Sequence, residues 1–353
     1  MSSHKITLII AMLVLAIFAV GSVSAADDIA DDIDVQTDDV SIDDVSVEED
    51  SQTDYVNNRD SSDVNIYNTM TLTDIQDNID SASSGSTVIF NPGTYTGIAL
   101  NLTKDNVVYR GVNATLIGTG SSHVFNLVNN LNNFTISGFE INVNGRYSAI
   151  YGSFIFNGTI KENTLYNGTD GININRFYDN MTVEDNFIHD MYRDGISFAH
   201  PNANSISVNN LGNTYISRNN ITNCNYSIFV GGNFRGVISN NKILNSTCGI
   251  QSVGKKDGFI SDIVANISGN NISGVETGIE FINMTAVSLN ITSNNIQTTN
   301  YVSGYTVDYG ENFSNATSES INFYHNVLVG AIKQSLIDMT YTFDNWFDGY
   351  IIP

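Results

Sequence analysis

Hydrophobic and polar positions along most of this chain follow one short phrase that keeps returning. The phrase consists of an aliphatic residue, two polar residues, an asparagine, one further residue and a second aliphatic residue. Its first clear copy is Ile160-Lys-Glu-Asn163-Thr-Leu165, and we centre the later copies on Asn186, Asn220, Asn241, Asn271, Asn295, Asn326 and Asn345. The asparagines recur roughly every 20 to 34 residues, a period that predicts a solenoid.

A second phrase, Gly-Ile or a near equivalent, follows most copies of the first. Its copies are Gly171-Ile172, Gly195-Ile196, Ser227-Ile228, Gly249-Ile250 and Gly278-Ile279. Alternating aliphatic residues predict short strands with one buried face, and such strands must stack on neighbouring coils to bury it. Asparagine tolerates left-handed backbone and can hydrogen-bond to its own turn and to the next one. The pattern therefore predicts an all-β fold, a single parallel β-helix of roughly ten or eleven coils. Leucine-rich and helical repeats are excluded, because leucine does not recur and no 3.6-residue period is present.

The two ends of the repeat region predict different closures. Residues 71–84 predict a short amphipathic helix that covers the first coil, with Thr73 and Gln76 as a capping box. Gly85 is expected to stop this helix. At the other end, Trp346 and Phe347 are expected to close the last coil.

The residues before the repeats divide into two segments. Lys5, the apolar run 6–20 and the small residues ending at Ala25 predict a secretory signal over 1–25, with an uncleaved membrane anchor as the alternative. Residues 26–68 are expected to form a disordered acidic spacer, since fifteen acidic residues oppose the single base Arg59. The β-helix domain is expected over 69–353, with no stable membrane span if the signal is cleaved.

Charge limits the partners of the protein. The net charge is −23, and no basic stripe is present, which argues against nucleic acid as a partner. An exported protein of this kind is expected to meet extracellular glycans or surface proteins. The sequence contains no signal for an oligomeric state.

Several segments resemble the right-handed parallel β-helix repeat family of pectate-lyase-like and NosD-like proteins. The resemblance rests on the opening that runs from Ile75 to Tyr95, on Val107–Asn113 and on Phe134–Ile141. The ending Asp344-Asn-Trp-Phe347 resembles the close of the asparagine- and threonine-rich adhesin-like surface proteins of methanogenic archaea. The resemblance implies a right-handed β-helix displayed on the outside of an archaeal cell.

One constellation resembles a catalytic site. The residues that precede the Gly-Ile phrases form a predicted column: Ser148, Asp170, Asp194, Tyr226, Cys248 and Thr277. Asp170 and Asp194 should lie on adjacent coils with Arg193 beside them and His200 close in sequence. Two stacked carboxylates suit an acid-base pair or a Ca²⁺ site, and no other cofactor is indicated. The same aspartates also suit ordinary turns, and the polygalacturonase and epimerase motifs are absent.

The remaining candidate sites are cysteines, asparagines and tyrosines. Cys224 and Cys248 fall on consecutive coils about two positions out of register, so either a disulfide or two buried thiols is expected. Fifteen Asn-X-Ser/Thr acceptors occur, and four in predicted loops are candidate glycosylation sites: Asn113, Asn167, Asn245 and Asn312. Asn220 and Asn271 are expected to be too tightly packed to carry a glycan. Tyrosines that suit stacking on sugar rings are Tyr147, Tyr151, Tyr178, Tyr192 and Tyr226.

Two functions follow from these observations. The first is a secreted or cell-surface, adhesin-like β-helix that binds carbohydrate or a surface partner without catalysis. The second is a β-helical polysaccharide lyase or glycoside hydrolase that uses Asp170, Arg193 and Asp194 on acidic polysaccharides.

Overall fold

The computed structural model describes residues 63–199, 207–254, 260–299, 305–310, 312–317, 319–333, 341–348 and 351–352. The predicted signal and almost all of the predicted spacer lie outside these residues, as does His200. Within them, no helix is long and apolar enough to cross a membrane.

The described residues form one α-helix, one short 3₁₀ helix at Val208–Asn210 and many short strands. The helix is α1 (Leu72–Ser81). The strands up to residue 199 are β1 (Val64–Ile66), β2 (Thr87–Phe90), β3 (Gly93–Ile98), β4 (Leu100–Leu102), β5 (Val108–Gly118), β6 (Phe125–Leu127), β7 (Thr135–Asn142), β8 (Ser148–Phe156), β9 (Thr159–Lys161), β10 (Thr164–Asp179), β11 (Thr182–Glu184) and β12 (Phe187–Ala199). The later strands are β13 (Thr214–Ser217), β14 (Asn220–Gly231), β15 (Phe234–Ser239), β16 (Lys242–Leu244), β17 (Cys248–Val253), β18 (Ser261–Ser268), β19 (Asn271–Val275), β20 (Thr277–Ile282), β21 (Met284–Thr292), β22 (Asn295–Thr298), β23 (Val307–Tyr309), β24 (Ser314–Asn315), β25 (Ile321–Tyr324), β26 (Val327–Val329), β27 (Ile332–Lys333), β28 (Tyr341–Phe343), β29 (Trp346–Asp348) and β30 (Ile351–Ile352).

The strand pairings among the described residues are parallel, and most strands pair with one strand a coil earlier and one a coil later, which confirms the predicted parallel β-helix. On one face, eleven described strands stack from β3 to β29. Their central residues point inward and form a column that includes Ile141, Leu165, Ile188 and Ile221, all without exposed surface. The core is therefore built from stacked apolar side chains, and each coil buries the apolar face of its neighbour.

A ladder of buried asparagines runs along one corner of the solenoid. The side-chain oxygen of Asn241 accepts hydrogen bonds from the backbone N–H and the Nδ2 of Asn219, at 2.9 and 3.0 Å. The Nδ2 of Asn241 then donates to Ile216 O on the previous coil and to Asn270 Oδ1 on the next. Each asparagine thus binds the coils on both sides, which satisfies backbone groups that a turn would otherwise leave unpaired.

The ladder corrects three of the asparagines on which the repeat phrases are centred in the sequence. Its members are Asn163, Asn186, Asn219, Asn241, Asn270, Asn294, Asn326 and Asn345. Asn220, Asn271 and Asn295 were therefore the wrong residues of their Asn-Asn pairs, because each begins the following strand and points away from the core. Asn271 is exposed and Asn220 is half-buried, so close packing does not exclude Asn271 as a glycan acceptor.

The residue before each ladder asparagine adopts left-handed backbone, with φ between 47° and 66°. These residues are Glu162, Asp185, Arg218, Asn240, Gly269, Ser293, His325 and Asp344. Most of them carry a side chain, although left-handed backbone is unfavourable for residues other than glycine. The hydrogen bonds of the ladder therefore impose the left-handed turn on whatever residue precedes the asparagine.

The N-terminal coil is capped, but not by the predicted residues. Helix α1 begins after Thr71, and the capping box joins Thr71 to Asp74 rather than Thr73 to Gln76. The helix ends at Ser81, before the predicted stop at Gly85. Strand β1 lies before the helix and pairs with β2, so residue 69 is too late as the start of the solenoid. The alternation of Val64 and Ile66, with Ile66 fully buried, explains this earlier start.

The C-terminal coil differs from the others. Phe347 stacks on Leu328 in the inward column but is 41% exposed, and Trp346 is exposed beside it. Among the described residues no strand pairs with β29 on its far side. At the end of the described stack Phe347 thus covers Leu328, which has no exposed surface, whereas Trp346 lies over the exposed Val327.

Candidate functional site

The predicted column of residues before the Gly-Ile phrases is present. Strand pairing aligns Ser148 with Asp170, Asp170 with Asp194, and Asp194 with Tyr226, and the column continues through Cys248 to Thr277. The glycines that follow keep neighbouring coils close together. A Cβ on Gly171 would lie 2.6 Å from the carbonyl oxygen of Gly195, so a side chain there would force the coils apart.

Arg193 and Asp170 form the centre of this site. Arg193 donates from Nε to Asp170 Oδ1 at 2.9 Å and from Nη2 to Asp170 Oδ2 at 2.7 Å. This two-point geometry is the strong form of an arginine–carboxylate pair. Asp170 is only 2% exposed, whereas the Arg193 side chain is 48% exposed. The guanidinium group therefore covers a buried carboxylate.

Asp170 accepts three further hydrogen bonds. Asn173 Nδ2 donates at 2.6 Å, Ser148 Oγ at 3.2 Å and the backbone N–H of Asp194 at 3.3 Å. With the two bonds from Arg193, the carboxylate has five donors for about four lone-pair sites. No lone pair of the Asp170 carboxylate therefore remains free to accept a proton from a substrate.

Asp194 is the second buried carboxylate of the site. It is 4% exposed, and its Oδ2 lies 3.2 Å from Arg193 Nε. Burial, and then repulsion by Asp170, raise the pKa of Asp194 to about 6, although Arg193 and Ser197 favour its charged form. Asp194 is therefore partly protonated near neutral pH, while Arg193 stays charged.

An open groove of about 600 Å³ lies beside this cluster. It is lined by Met191, Tyr192, Arg193, Asn223, Cys224, Asn225, Tyr226 and Thr247. Tyr192 is 77% exposed, and Arg193 presents its outer edge next to it. Exposed aromatic rings with amide and guanidinium donors nearby can stack on a sugar ring and bind its hydroxyl groups.

Arg146 belongs to the same surface and was not predicted. Its guanidinium carbon lies 5.8 Å from the centre of the Tyr192 ring, a cation–π distance. Arg146 precedes Ser148 by two positions, as Tyr192 precedes Asp194, so aligning the residues upstream of the column would have identified it.

The other predicted aromatic residues are dispersed. Tyr147 is exposed, but Tyr151 stacks on His123 with ring centres 4.2 Å apart. His123 Nδ1 accepts the backbone N–H of Ser148, and burial lowers its pKa. Tyr178 is buried, so it was wrongly predicted to meet a sugar, because the alternation within β10 places it inside.

The predicted cysteine and glycosylation sites lie apart from this groove or differ from it in exposure. Cys224 and Cys248 are buried free thiols, and Cys248 aligns with Tyr226, which confirms the offset of two positions. Burial raises the pKa of Cys224 to about 12 and that of Cys248 well above the ordinary thiol value. The four candidate glycosylation sites are all exposed and have left-handed backbone: Asn113, Asn167, Asn245 and Asn312. His200 lies outside the described residues.

The class of this protein is a parallel β-helix. It has a ladder of buried amides and a separate column of side chains before its Gly-Ile phrases. The model of the family described as periplasmic copper-binding protein (NosD) matches residues 79–262, more than half of the chain. The chain belongs to this family.

Solved structures agree with the fold. The family 28 exopolygalacturonase of Yersinia enterocolitica is 14% identical with a TM-score of 0.50, and the match covers 82% of this chain and 76% of that one. The A-module of the mannuronan C-5 epimerase AlgE6 of Azotobacter vinelandii is 12% identical with a TM-score of 0.49, covering 80% and 91%. PfbA, a surface adhesin of Streptococcus pneumoniae, is 14% identical with a TM-score of 0.40, covering 79% and 86%. The likeness to the exopolygalacturonase supports the parallel β-helix fold and nothing further. No curated protein sequence matches the chain.

Proposed function

We propose that this protein is an exported, surface-displayed β-helix that binds carbohydrate in the groove beside Tyr192 and Arg193 and performs no chemistry there. The observation that carries the proposal is which groups of the site are buried and which are exposed. Its carboxylates are buried under Arg193, while an aromatic ring, a guanidinium edge and several amides face the solvent. That combination suits recognition of a sugar more than attack on one.

The bonding of Asp170 supports a non-catalytic role. A general base must reach the proton that it removes, at hydrogen-bond distance or through one water. Asp170 is buried, and its oxygens already accept five hydrogen bonds. Its role in this proposal is to hold Arg193 in one orientation, which lowers the entropy cost of binding a ligand.

The second candidate function is a polysaccharide lyase or glycoside hydrolase, and one observation favours it. Asp194 has a pKa of about 6, and carboxyl groups with raised pKa values serve as general acids in glycosidases. Arg193 separates Asp194 from the solvent on one side, however, and the partner carboxylate Asp170 is saturated with donors. Catalysis would require Arg193 to move away from both aspartates.

Neither calcium nor copper fits the described residues. A Ca²⁺ ion at Asp170 and Asp194 would have to displace Arg193, which is already paired with both carboxylates. Copper needs soft or imidazole donors. The aligned pair Met191 and Cys224 at the base of the groove is buried, and burial keeps Cys224 a thiol. In the described part of the chain, no three His, Cys, Asp or Glu side chains cluster as a metal site would require.

The proposed location is outside the cell. It is supported by the predicted signal over residues 1–25 and by the periplasmic description of the family. The asparagine-rich repeats and the ending Asp344–Phe347 resemble adhesin-like surface proteins of methanogenic archaea, which favours a role in display or adhesion. The acidic surface of the chain disfavours nucleic acid as a partner.

Glycan-array binding of the full chain, with Tyr192→Ala and Tyr215→Ala variants, tests this proposal. Tyr215 is an exposed tyrosine in β13, away from the groove, so its variant controls for loss of one surface ring. We expect binding that Tyr192→Ala weakens roughly tenfold, the loss of one aromatic contact of ~1–1.5 kcal/mol. Parallel assays for unsaturated products and new reducing ends decide between the two functions. Turnover that Asp194→Asn abolishes would establish the enzyme instead.

A further inference from the structure

Arg146 is an exposed cation at the edge of the groove. No carboxylate among the described residues lies within ion-pair distance of it, and its contact is the face of Tyr192 at 5.8 Å. By contrast, Arg218 is bound on the surface by Asp185 and Glu184. In a chain with a net charge of −23, a cation that lies on an aromatic ring and has no counter-ion among the described residues is available to an anion.

Arg193 offers a second donor to the same space. Its Nε and Nη2 are bound by the aspartates, whereas Nη1 has no hydrogen-bond partner in the described part of the chain. Because Asp170 and Asp194 fix the plane of the guanidinium group, Nη1 points in one direction. A planar, pre-oriented guanidinium edge matches the geometry of a carboxylate or sulfate.

The nearby negative charges are already bound. Asp170 and Asp194 lie under Arg193, and Asp190 is bound by His189 at 2.7 Å and by Asn223 Nδ2 at 2.9 Å. The outer surface around Tyr192 is therefore formed by two guanidinium groups and an aromatic ring. Two of the three carboxylates, Asp170 and Asp194, are buried and paired with Arg193, while the half-exposed Asp190 is held by His189 and Asn223.

We infer that the ligand of this groove is an acidic glycan, with its carboxylate or sulfate bound between Arg146 and Arg193 and its sugar ring stacked on Tyr192. This inference rests on the proposed carbohydrate-binding function and names the class of ligand. The sugar ring supplies an apolar face for Tyr192, and the anion supplies acceptors for the two guanidinium groups.

Isothermal titration calorimetry with matched polymers tests the inference. The probes are sodium polygalacturonate, alginate and chondroitin sulfate, each beside a neutral counterpart made by carboxyl reduction or desulfation. We expect at least tenfold tighter binding of an acidic polymer than of its neutral form, with affinity that falls as NaCl rises.

Arg146→Gln should reduce the affinity for the acidic polymer about tenfold and flatten its salt dependence. Arg176→Gln is the matched control, because the Arg176 guanidinium lies 5.7 Å from the Phe154 ring in the same kind of contact, away from the groove. Equal binding of acidic and neutral polymers, lost in Tyr192→Ala but kept in Arg146→Gln, would overturn the inference and leave carbohydrate binding intact. Absence of binding to every polymer and to the glycan array would overturn both.

Discussion

Replacement of Asp194 by asparagine should change how the stability of the protein depends on pH. The carboxyl group is 4% exposed and has a pKa of about 6, against an ordinary value near 4 for aspartate. Asparagine has nearly the same shape and cannot ionise. The variant therefore removes the ionisation while keeping the volume of the side chain and part of its hydrogen bonding.

The sign of the effect follows from proton linkage. Below about pH 4 the carboxyl group is protonated in both the folded and the unfolded chain, so its ionisation costs nothing. Between about pH 4 and 6 the unfolded chain loses the proton first, and stability falls as pH rises. Above pH 6 both states are ionised and the cost is constant. A shift of about 2 pKa units corresponds to ~3 kcal/mol, the free energy of unfolding that wild type loses across this window.

Urea denaturation followed by circular dichroism, at pH values from 3.5 to 8, measures this effect. The free energy of unfolding of wild type minus that of Asp194→Asn should fall by about 3 kcal/mol between pH 4 and pH 7. Asp77→Asn removes the same charge from an exposed position on α1 and serves as the control. A constant difference between wild type and Asp194→Asn across this range would refute the burial and repulsion on which the interpretation of the site rests.

Three further predictions concern the ladder, the thiols and the acceptor asparagines. Asn219→Ala should destabilise the fold by about 3 kcal/mol or more in urea denaturation, because it leaves buried groups on both neighbouring coils unpaired. Asn220→Ala is the control and should cost under about 1 kcal/mol. Equal losses in the two variants would contradict the corrected ladder. A thiol-specific reagent should label neither Cys224 nor Cys248 in the folded protein and both after unfolding without reductant, while a disulfide would leave none to label. Peptide mass spectrometry of the natively produced protein should find glycans on Asn113 and Asn245 rather than on Asn167 and Asn312. The Nδ2 atoms of Asn167 and Asn312 already donate to Asn142 and Asn283. Glycans on Asn167 and Asn312 alone would contradict this prediction.

The sequence was sufficient to predict the coils and the column of the site. Both depend on alternation, and the register of a stacked coil follows once its aliphatic residues must face inward. Asp170 and Asp194 could therefore be placed on adjacent coils from the Gly-Ile phrases alone. The contact of Arg193 with both aspartates also followed, since Arg193 is adjacent to Asp194 in the chain.

The errors occurred where neighbouring residues share a chemical type. In the pairs that begin at Asn219, Asn270 and Asn294, both asparagines suit a turn, and only the first occupies the position three residues after the inward aliphatic residue. Thr71 and Thr73 posed the same ambiguity at the start of α1. The cation–π contact of Arg146 joins residues two coils apart, so it becomes visible only when the residues upstream of the column are aligned coil by coil.

The amide ladder has a consequence for how this surface can diversify. Asn163 and Asn186 are 23 residues apart and Asn186 and Asn219 are 33 apart, yet their side-chain hydrogen bonds measure 3.1 and 3.0 Å. Ten additional residues between two successive asparagines therefore leave the hydrogen bonds of the ladder unchanged. A designer can graft a loop of new specificity between coils here, and evolution can lengthen one, without rebuilding the scaffold that carries it.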